Sequence, residues 1–303
     1  MTAPRRRPSL LTVLAVLLFT VPVAVAVAGP FFAPAIASPD GAPYVLGDGH
    51  PLGTDGMGRD VLTLLLRGGP SALGVACCAV ALAYVVGGTL GLAAAVTRHR
   101  WADELLLRPV EVVLPVPSLL VISVVGMVRH GSAVAITLAV AAIGVPAVAR
   151  LVRAAALDAA SGPVVEAMRL QGESWPRIVF GYVGRAVLPV AAADAGTRVG
   201  TAVFTVAAAN FLGLGLEPTS PDWGVTIAGS REALLVQPWA VCAPAAMLVM
   251  FTVGLNLLSD GLIKRRGHGG TPSAPAAPAR VAGKGREPAG VRTGTGTGTE
   301  AAR

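Results

Sequence analysis

Long apolar runs separated by short polar segments set the pattern of this chain. A hydropathy window of about nineteen residues picks out six runs, at 10–28, 71–96, 110–128, 133–149, 190–212 and 239–262. A helix needs about twenty mostly apolar residues to cross a bilayer, and each run is close to that length. The pattern predicts an all-α polytopic membrane protein with six transmembrane helices.

The polar segments divide the chain further. We expect a cytoplasmic N-terminus over 1–8, a first transmembrane helix over 9–29, an extracytoplasmic segment over 30–70 and a core of five transmembrane helices over 71–265. Within that core, 150–188 forms the longest ordered cytoplasmic loop. Residues 266–303 are rich in Gly, Pro, Ala and Thr, which predicts a disordered cytoplasmic tail.

The first apolar run has an alternative interpretation as a cleaved secretory signal. Three arginines, Arg5 to Arg7, precede it, and the sequence Ala35-Ile36-Ala37 resembles a signal-peptidase site. The run is long for a signal core and five more spans follow. A retained transmembrane helix is therefore preferred.

Arginine and lysine positions predict the orientation, because positively charged loops stay on the cytoplasmic side. With the N-terminus inside, the cytoplasmic segments contain Arg5 to Arg7, Arg98, Arg100, Arg108, Arg150, Arg153, Arg169, Arg177, Arg185 and the basic residues 264–266. The outer segments contain only Arg59, Arg67, Arg129 and Arg231. This asymmetry predicts that both termini are cytoplasmic.

Composition supports the bilayer as the natural solvent. Hydrophobic residues make up 53% of the chain and charged residues 14%, and the mean hydropathy is +0.67. The net charge of +7 could suggest nucleic acid, but the arginines are scattered without interleaved exposed aromatics, so no nucleic-acid partner is predicted. Cys77, Cys78 and Cys242 lie inside apolar runs and suggest neither a disulfide framework nor a metal site.

Catalytic and nucleotide-binding motifs are missing from the sequence. The only lysines, Lys264 and Lys284, are followed by Arg265 and Gly285, so no phosphate-binding loop of the form G-x-x-x-x-G-K-[ST] is present. All four histidines fall in predicted loops or in the tail, which argues against an intramembrane serine protease. We therefore expect no enzyme activity from this chain.

One charged pair lies inside the fifth predicted span. Asp194 and Arg198 are one helical turn apart, and charges at membrane depth often serve ion or proton relays. The preferred interpretation is that the two side chains neutralise each other. A relay in an ion-coupled secondary transporter is the alternative.

The loop 150–188 carries strong local signals. Pro163 suits the first turn of a helix, Val164, Val165 and Met168 recur near helical spacing, and Gly172 can end that helix with a positive φ. Ser174 can cap the next helix, whose first turn contains Pro176. The sequence predicts a compact helix–turn–helix element, suited to transmitting force to both connected spans.

This element resembles the E-A-A-x-x-x-G loop of the inner-membrane permeases of binding-protein-dependent ABC importers. The chain reads Glu166-Ala167-Met168-Arg169-Leu170-Gln171-Gly172, with Met168 in place of the second Ala. The resemblance implies a coupling helix between spans four and five that docks on a separate ATPase. Its implied coupling residues are Glu166, Ala167, Met168, Arg169, Gly172 and Ser174.

A second motif resembles the dipeptide/oligopeptide/nickel branch of these permeases. Residues 50–60, called the signature segment below, match H-P-L-G-T-D-x-x-G-R-D through His50, Pro51, Leu52, Gly53, Thr54, Asp55, Gly58, Arg59 and Asp60. We prefer a structural turn that closes the outer face or contacts the binding protein. A calcium loop is disfavoured because the spacing of Asp48, Asp55 and Asp60 departs from that of known loops.

The end of span five also resembles this branch. It reads Phe211-Leu212-Gly213-Leu214-Gly215, and Asn210, Gly213 and Gly215 are candidates for the pathway lining. Relatives often carry a Glu before this run, where the chain has Val206. This departure predicts a difference in substrate or gating.

The resemblance implies a permease subunit of an ATP-driven importer in the cytoplasmic membrane. Its implied partners are a second homologous permease, two ATPase subunits, an extracytoplasmic solute-binding protein and the lipid bilayer. ATP and Mg²⁺ would bind the ATPase, and this chain itself would bind no cofactor or metal. The alternatives are a secondary transporter acting without an ATPase and a membrane scaffold. The solute, whether dipeptide, oligopeptide or metal chelate, is left open.

Overall fold

The computed structural model describes residues 10–33, 41–47, 49–97, 107–109, 111–112 and 115–267, with side chains described as far as residue 261. Eight α-helices have bounds within these ranges: α1 Leu10–Phe32, α2 Val61–Val96, α3 Ser118–Val128, α4 Ala133–Ala160, α5 Pro163–Leu170, α6 Gly184–Phe211, α7 Trp223–Ser230 and α8 Trp239–Gly267. Residues 107–109 and 111 are helical as well. A π-helix, Arg177–Val183, leads directly into α6, and a 3₁₀ turn, Arg231–Ala233, follows α7. Across these described ranges the protein is all-α, as predicted.

Five of the helical segments are long and apolar enough to cross a membrane: α1, α2, α4, the π-helix with α6, and α8. The third predicted run, 110–128, forms the shorter helix α3, and Val110, Val113 and Leu114 lie outside the described residues. A polytopic membrane protein is therefore confirmed. The number of six spans stays a prediction.

Helix α2 begins at Val61, ten positions before the predicted start of this span. The Asp60 side chain caps the helix by accepting a hydrogen bond from the backbone N–H of Thr63, at 2.8 Å, which contributes about 1 kcal/mol. Pro70 was expected to lie outside the helix, but it is tolerated within it. Pro70 has no N–H to donate to the carbonyl of Leu66. That carbonyl faces Gly29 of α1, and a Cβ on Gly29 would collide with it.

Small residues bring the spans into close contact. The most extensive helix contact joins α2 to α4, and a Cβ on Gly87 would lie 2.6 Å from the carbonyl oxygen of Val145. A Cβ on Gly91 would collide with the carbonyl oxygen of Ala149, and one on Gly196 with the Ser259 hydroxyl of α8. These glycines therefore serve helix packing, because a residue without a Cβ lets a neighbouring backbone approach closely.

The buried residues form two main clusters at different levels of the bundle. The larger surrounds Trp223 and Ala76. The other gathers Val148, Val165 and Val179 beside the C-terminal half of α2. This second cluster joins the elements of the loop 150–188 to the membrane helices, because it contains residues of both.

Several predictions concern residues outside the described ranges. They are the N-terminal arginines, the signal-peptidase-like sequence at 35–37, Asp48, Arg98 and Arg100, and the tail from His268 onward. They stay predictions.

Candidate functional site: the coupling helix and the signature segment

Helix α5 begins and ends where the sequence indicated. Gly162 is extended at the N-cap and Pro163 occupies the first turn. At the other end Gly172 has a φ of +74°. Its N–H donates to the carbonyl of Arg169 at 3.1 Å, and the N–H of Glu173 donates to that of Met168 at 3.0 Å. These two bonds form a Schellman motif. The motif requires a left-handed backbone conformation at the residue after the C-cap, and glycine adopts it without strain.

One face of α5 is fixed to the bundle. Val165 is 1% exposed and packs in the second buried cluster, with Ile178 and Val179. Arg169 Nη2 donates to the carbonyl of Val96 at 3.0 Å. Val96 ends α2, and carbonyls at a helix C-terminus lack intrahelical partners, so Arg169 satisfies one of them and ties α5 to α2.

The opposite face of α5 is open. Val164, Glu166 and Ala167 are exposed, and Leu170 is 86% exposed. Trp175, just after the turn, is half exposed. Exposed apolar side chains beside an anchored helix are typical of a protein–protein contact, so this face is suited to a partner.

The helix that follows connects α5 to the membrane. Ser174 opens it through its backbone, because its carbonyl accepts from the N–H groups of Arg177 and Ile178 at 3.0 and 3.2 Å. The π-helix Arg177–Val183 buries Ile178, Val179 and Val183 and continues into α6. A displacement of α5 therefore reaches α6 through a continuous helical segment.

The signature segment is organised around Asp55, which is 3% exposed. Its Oδ1 accepts from the backbone N–H groups of Met57 at 2.9 Å and Arg59 at 2.8 Å. Its Oδ2 accepts from Nε and Nη2 of Arg59, both at 2.8 Å. Arg59 Nη1 then donates to the carbonyl of Thr219 at 3.1 Å. The buried pair thus fastens the segment to the loop between α6 and α7.

Polar side chains also connect the segment to α2 and to its own start. His50 Nδ1 lies 3.2 Å from Oδ1 of Asp60, the residue that caps α2. The hydroxyl of Thr54, which is fully buried, donates to the carbonyl of Ala42 at 2.7 Å and accepts from the N–H of Val45 at 2.9 Å. These bonds account for the polar positions of the motif.

Two signature glycines are required by the backbone. Gly53 and Gly58 have φ values of +74° and +76°, a region that favours glycine. The buried side chain of Gln237, just before α8, donates to the carbonyl of Leu52 at 2.9 Å. A Cβ on Gly53 would collide with this Gln237 side chain. Pro51 is exposed. Structurally, the segment is a closed turn, in line with the preferred interpretation.

The predicted pathway residues lie at the end of α6. Asn210 is 3% exposed; its Nδ2 donates to Oδ1 of Asp222 and its Oδ1 accepts from the N–H of Leu216, both at 2.9 Å. Gly213 ends α6 with a φ of +73°, and a Cβ on Gly215 would collide with Asn210. Asn210 therefore holds the loop closed, and a pathway role for these three residues stays a proposal.

Sequence reasoning missed helix α7 and the structural roles of Asp222 and Trp223. Asp222 caps this helix by accepting from the N–H groups of Gly224 and Val225, and burial raises the pKa of its carboxyl. Trp223 is fully buried and donates to the carbonyl of Leu65 at 2.8 Å. An Asp directly before the mostly apolar segment 223–228 is a recognisable N-cap signal that could have found α7.

The intramembrane charges are paired. Asp194 Oδ2 accepts hydrogen bonds from Nε of Arg198 and, at 2.6 Å, from the hydroxyl of Tyr84 on α2. A carboxylate with these two partners links α6 to α2. The preferred interpretation of mutual neutralisation agrees with this geometry.

Helix α2 separates the two sites. It begins beside the signature segment at Val61 and ends against Arg169 at Val96, and its 36 residues extend about 54 Å. The hydrocarbon core of a bilayer is about 30 Å thick. The signature segment and the coupling helix therefore lie on opposite sides of the membrane region.

Comparison with known proteins assigns the family. Residues 87–266 match the family of binding-protein-dependent transport system inner membrane components. The chain is 33% identical over 213 residues to the dipeptide transport system permease protein DppC of Alkalihalophilus pseudofirmus, over 70% of each chain. It is 32% identical over 214 residues to the glutathione transport system permease protein GsiD of Pectobacterium atrosepticum, again over 70% of each.

The matched region contains the anchored helix α5, the end of α2 to which Arg169 bonds, and the π-helix that leads into α6. The chain belongs to the binding-protein-dependent transport system inner membrane components and is a transmembrane permease subunit of an ABC importer.

Proposed function

We propose that this permease imports peptides or similar small solutes, together with a second homologous permease, two ATPase subunits and an extracytoplasmic solute-binding protein. Its relatives include permeases of dipeptide and glutathione transport systems, which supports a peptide-like solute. ATP and Mg²⁺ bind the ATPases, since the sequence has no phosphate-binding loop. Both termini are cytoplasmic, as the distribution of arginines indicates.

The observation that carries this proposal is the two-faced character of α5. Val165 and Arg169 fix one face to the bundle, while Glu166, Ala167 and Leu170 point away from it. A partner that contacts the open face can move α5 without separating it from the membrane helices. ATP binding then shifts the pathway between inward-facing and outward-facing states, because the ATPase binds ATP differently in the two.

Reconstitution separates this proposal from an ion-coupled transporter. We expect the purified chain alone in liposomes to take up no dipeptide under a proton or sodium gradient, and the assembled transporter to take it up with ATP and binding protein. The control is the double variant Asp194→Asn with Arg198→Gln, in which both charges of the pair are removed. Gradient-driven uptake by the single chain that this double variant abolishes would contradict the proposal.

A further inference from the structure

A cavity of about 390 Å³ lies between the signature segment, the end of α6 and α7; we call it the Arg231 cavity. Small-molecule sites typically occupy about 300–1,000 Å³. The cavity lies at the end of the bundle opposite the coupling helix, because the signature segment forms one wall. It is therefore on the side where an importer receives its solute.

The charges of the cavity leave one cation available. Asp55 and Arg59 both contact the cavity, but the oxygens of Asp55 accept from Arg59 and from two backbone N–H groups, and Arg59 also binds the carbonyl of Thr219. Arg231 forms none of the ion pairs found among the described residues. Its guanidinium lies 5.7 Å from the ring centre of Phe211, with Nη1 3.4 Å from the carbonyl oxygen of the same residue.

This placement orients the guanidinium while leaving donors unused. Arginine has five N–H donors in a planar arrangement that matches a carboxylate, and the one bond to Phe211 is long. A cation above an aromatic ring is held in place by the ring electrons. A negatively charged group entering the cavity therefore meets a positioned cation.

The remaining walls favour an apolar portion beside that negative group. Met57, Leu216 and Val225 supply apolar surface, and Gly213 and Gly229 leave open space, because a Cβ on either would meet no atom within 4 Å. A metal cation is disfavoured, because the guanidinium of Arg231 would repel it and because both oxygens of Asp55 already accept hydrogen bonds. The complementary ligand is small, carries a carboxylate and has an apolar side chain.

We propose that the Arg231 cavity binds a small peptide on its way into the pathway, with Arg231 pairing with the peptide's C-terminal carboxylate and the apolar wall contacting a side chain. This inference rests on the proposed function, because it presupposes that the solute is a peptide. It states where on the permease that peptide first binds. The site would select for a free carboxylate independently of the binding protein.

The test measures binding to the full-length chain in lipid nanodiscs by saturation-transfer NMR. The probes are alanyl-phenylalanine and the same dipeptide with a C-terminal amide. We expect the free acid to bind about tenfold or more tightly than the amide, since the amide lacks the negative charge that strengthens the hydrogen bonds to Arg231. Arg231→Gln is expected to reduce the preference to less than about twofold.

Gly229→Leu fills the cavity and should weaken binding of both probes at least about tenfold. Gly261→Leu is the matched control, because a Cβ there also meets open space on a helix but lies away from the cavity. It should leave binding unchanged. Thermal unfolding of each variant confirms folding.

Equal binding of acid and amide, or unchanged binding in both Arg231→Gln and Gly229→Leu, would overturn the cavity proposal. ATP-driven dipeptide uptake by the assembled transporter is measured in parallel. Uptake that persists while the cavity variants have no effect would leave the proposed function standing. Absence of ATP-driven uptake of any small peptide would remove the proposed function, whatever the binding result.

Discussion

Replacing Gly172 by Val should abolish solute-stimulated ATP hydrolysis and lower ATP-driven uptake at least about tenfold, while membrane insertion is retained. The reason is confined to the backbone, because a Cβ on Gly172 would meet no atom within 4 Å. Its φ of +74° costs an ordinary residue about 1–2 kcal/mol, and a β-branched residue more. The Schellman bonds are lost and the open face of α5 turns away from its partner. The measurement compares ATPase stimulation and uptake in proteoliposomes.

Gly172→Asn is the matched control. Asparagine tolerates the left-handed conformation better than other non-glycine residues, so this variant should retain most of the stimulation. Full activity in Gly172→Val, or equal loss in both variants, would show that the end of α5 does not position the contact.

Replacing Asp55 by Ala is expected to open the signature segment. Removing one partner of a buried ion pair leaves the other charge uncompensated and costs about 3–5 kcal/mol. Here the remaining charge is that of Arg59, which is largely buried. We expect amide hydrogen exchange over residues 49–60 to accelerate by roughly two to three orders of magnitude, with little change in α4 and α5.

The double variant Asp55→Ala with Arg59→Ala should be less affected than Asp55→Ala alone, because no unpaired charge is left. Exchange in Asp55→Ala that matches the unchanged protein would contradict the structural role of the pair. An additive double variant would contradict it as well. In that case the free-energy change of opening in the double variant, relative to the unchanged protein, would equal the sum of the changes in Asp55→Ala and Arg59→Ala.

The coupling helix could be predicted from the sequence because its determinants are local. Proline at the first turn and glycine after the last fix the limits of α5 with little help from the rest of the fold. Of the three apolar residues at helical spacing, Val165 and Met168 pack in the second buried cluster, whereas Val164 is exposed. The spacing alone did not indicate which of them is buried. The anchor from Arg169 to Val96 could not be predicted, since it joins residues far apart in the sequence.

The start of α2 and the π-helix were missed for different reasons. Gly68, Gly69 and Pro70 look like a loop, but Gly69 packs closely on Ala26 and Gly68 on Trp223, so tertiary contacts override local preference. A π-helix has no distinct residue pattern. At Arg177–Val183 it buries Ile178, Val179 and Val183.

At the outer site the sequence predicted the residues but not their partners. The signature segment stood out as a motif and was interpreted as a structural turn. Arg231 was recognised only as a charge in an outer loop. Its place over Phe211, and the cavity beside it, depend on how the loop after α6 folds against α7.

Cysteine crosslinking between α5 and the ATPase tests the central claim most directly. Leu170→Cys, on the open face of α5, is compared with Leu235→Cys, which is 98% exposed near the signature end, in a background with Cys77, Cys78 and Cys242 replaced by Ala. In membranes that contain the whole transporter, position 170 should crosslink to the ATPase and position 235 should not. A crosslink at 235 alone, or none at 170 in an active transporter, would contradict the account.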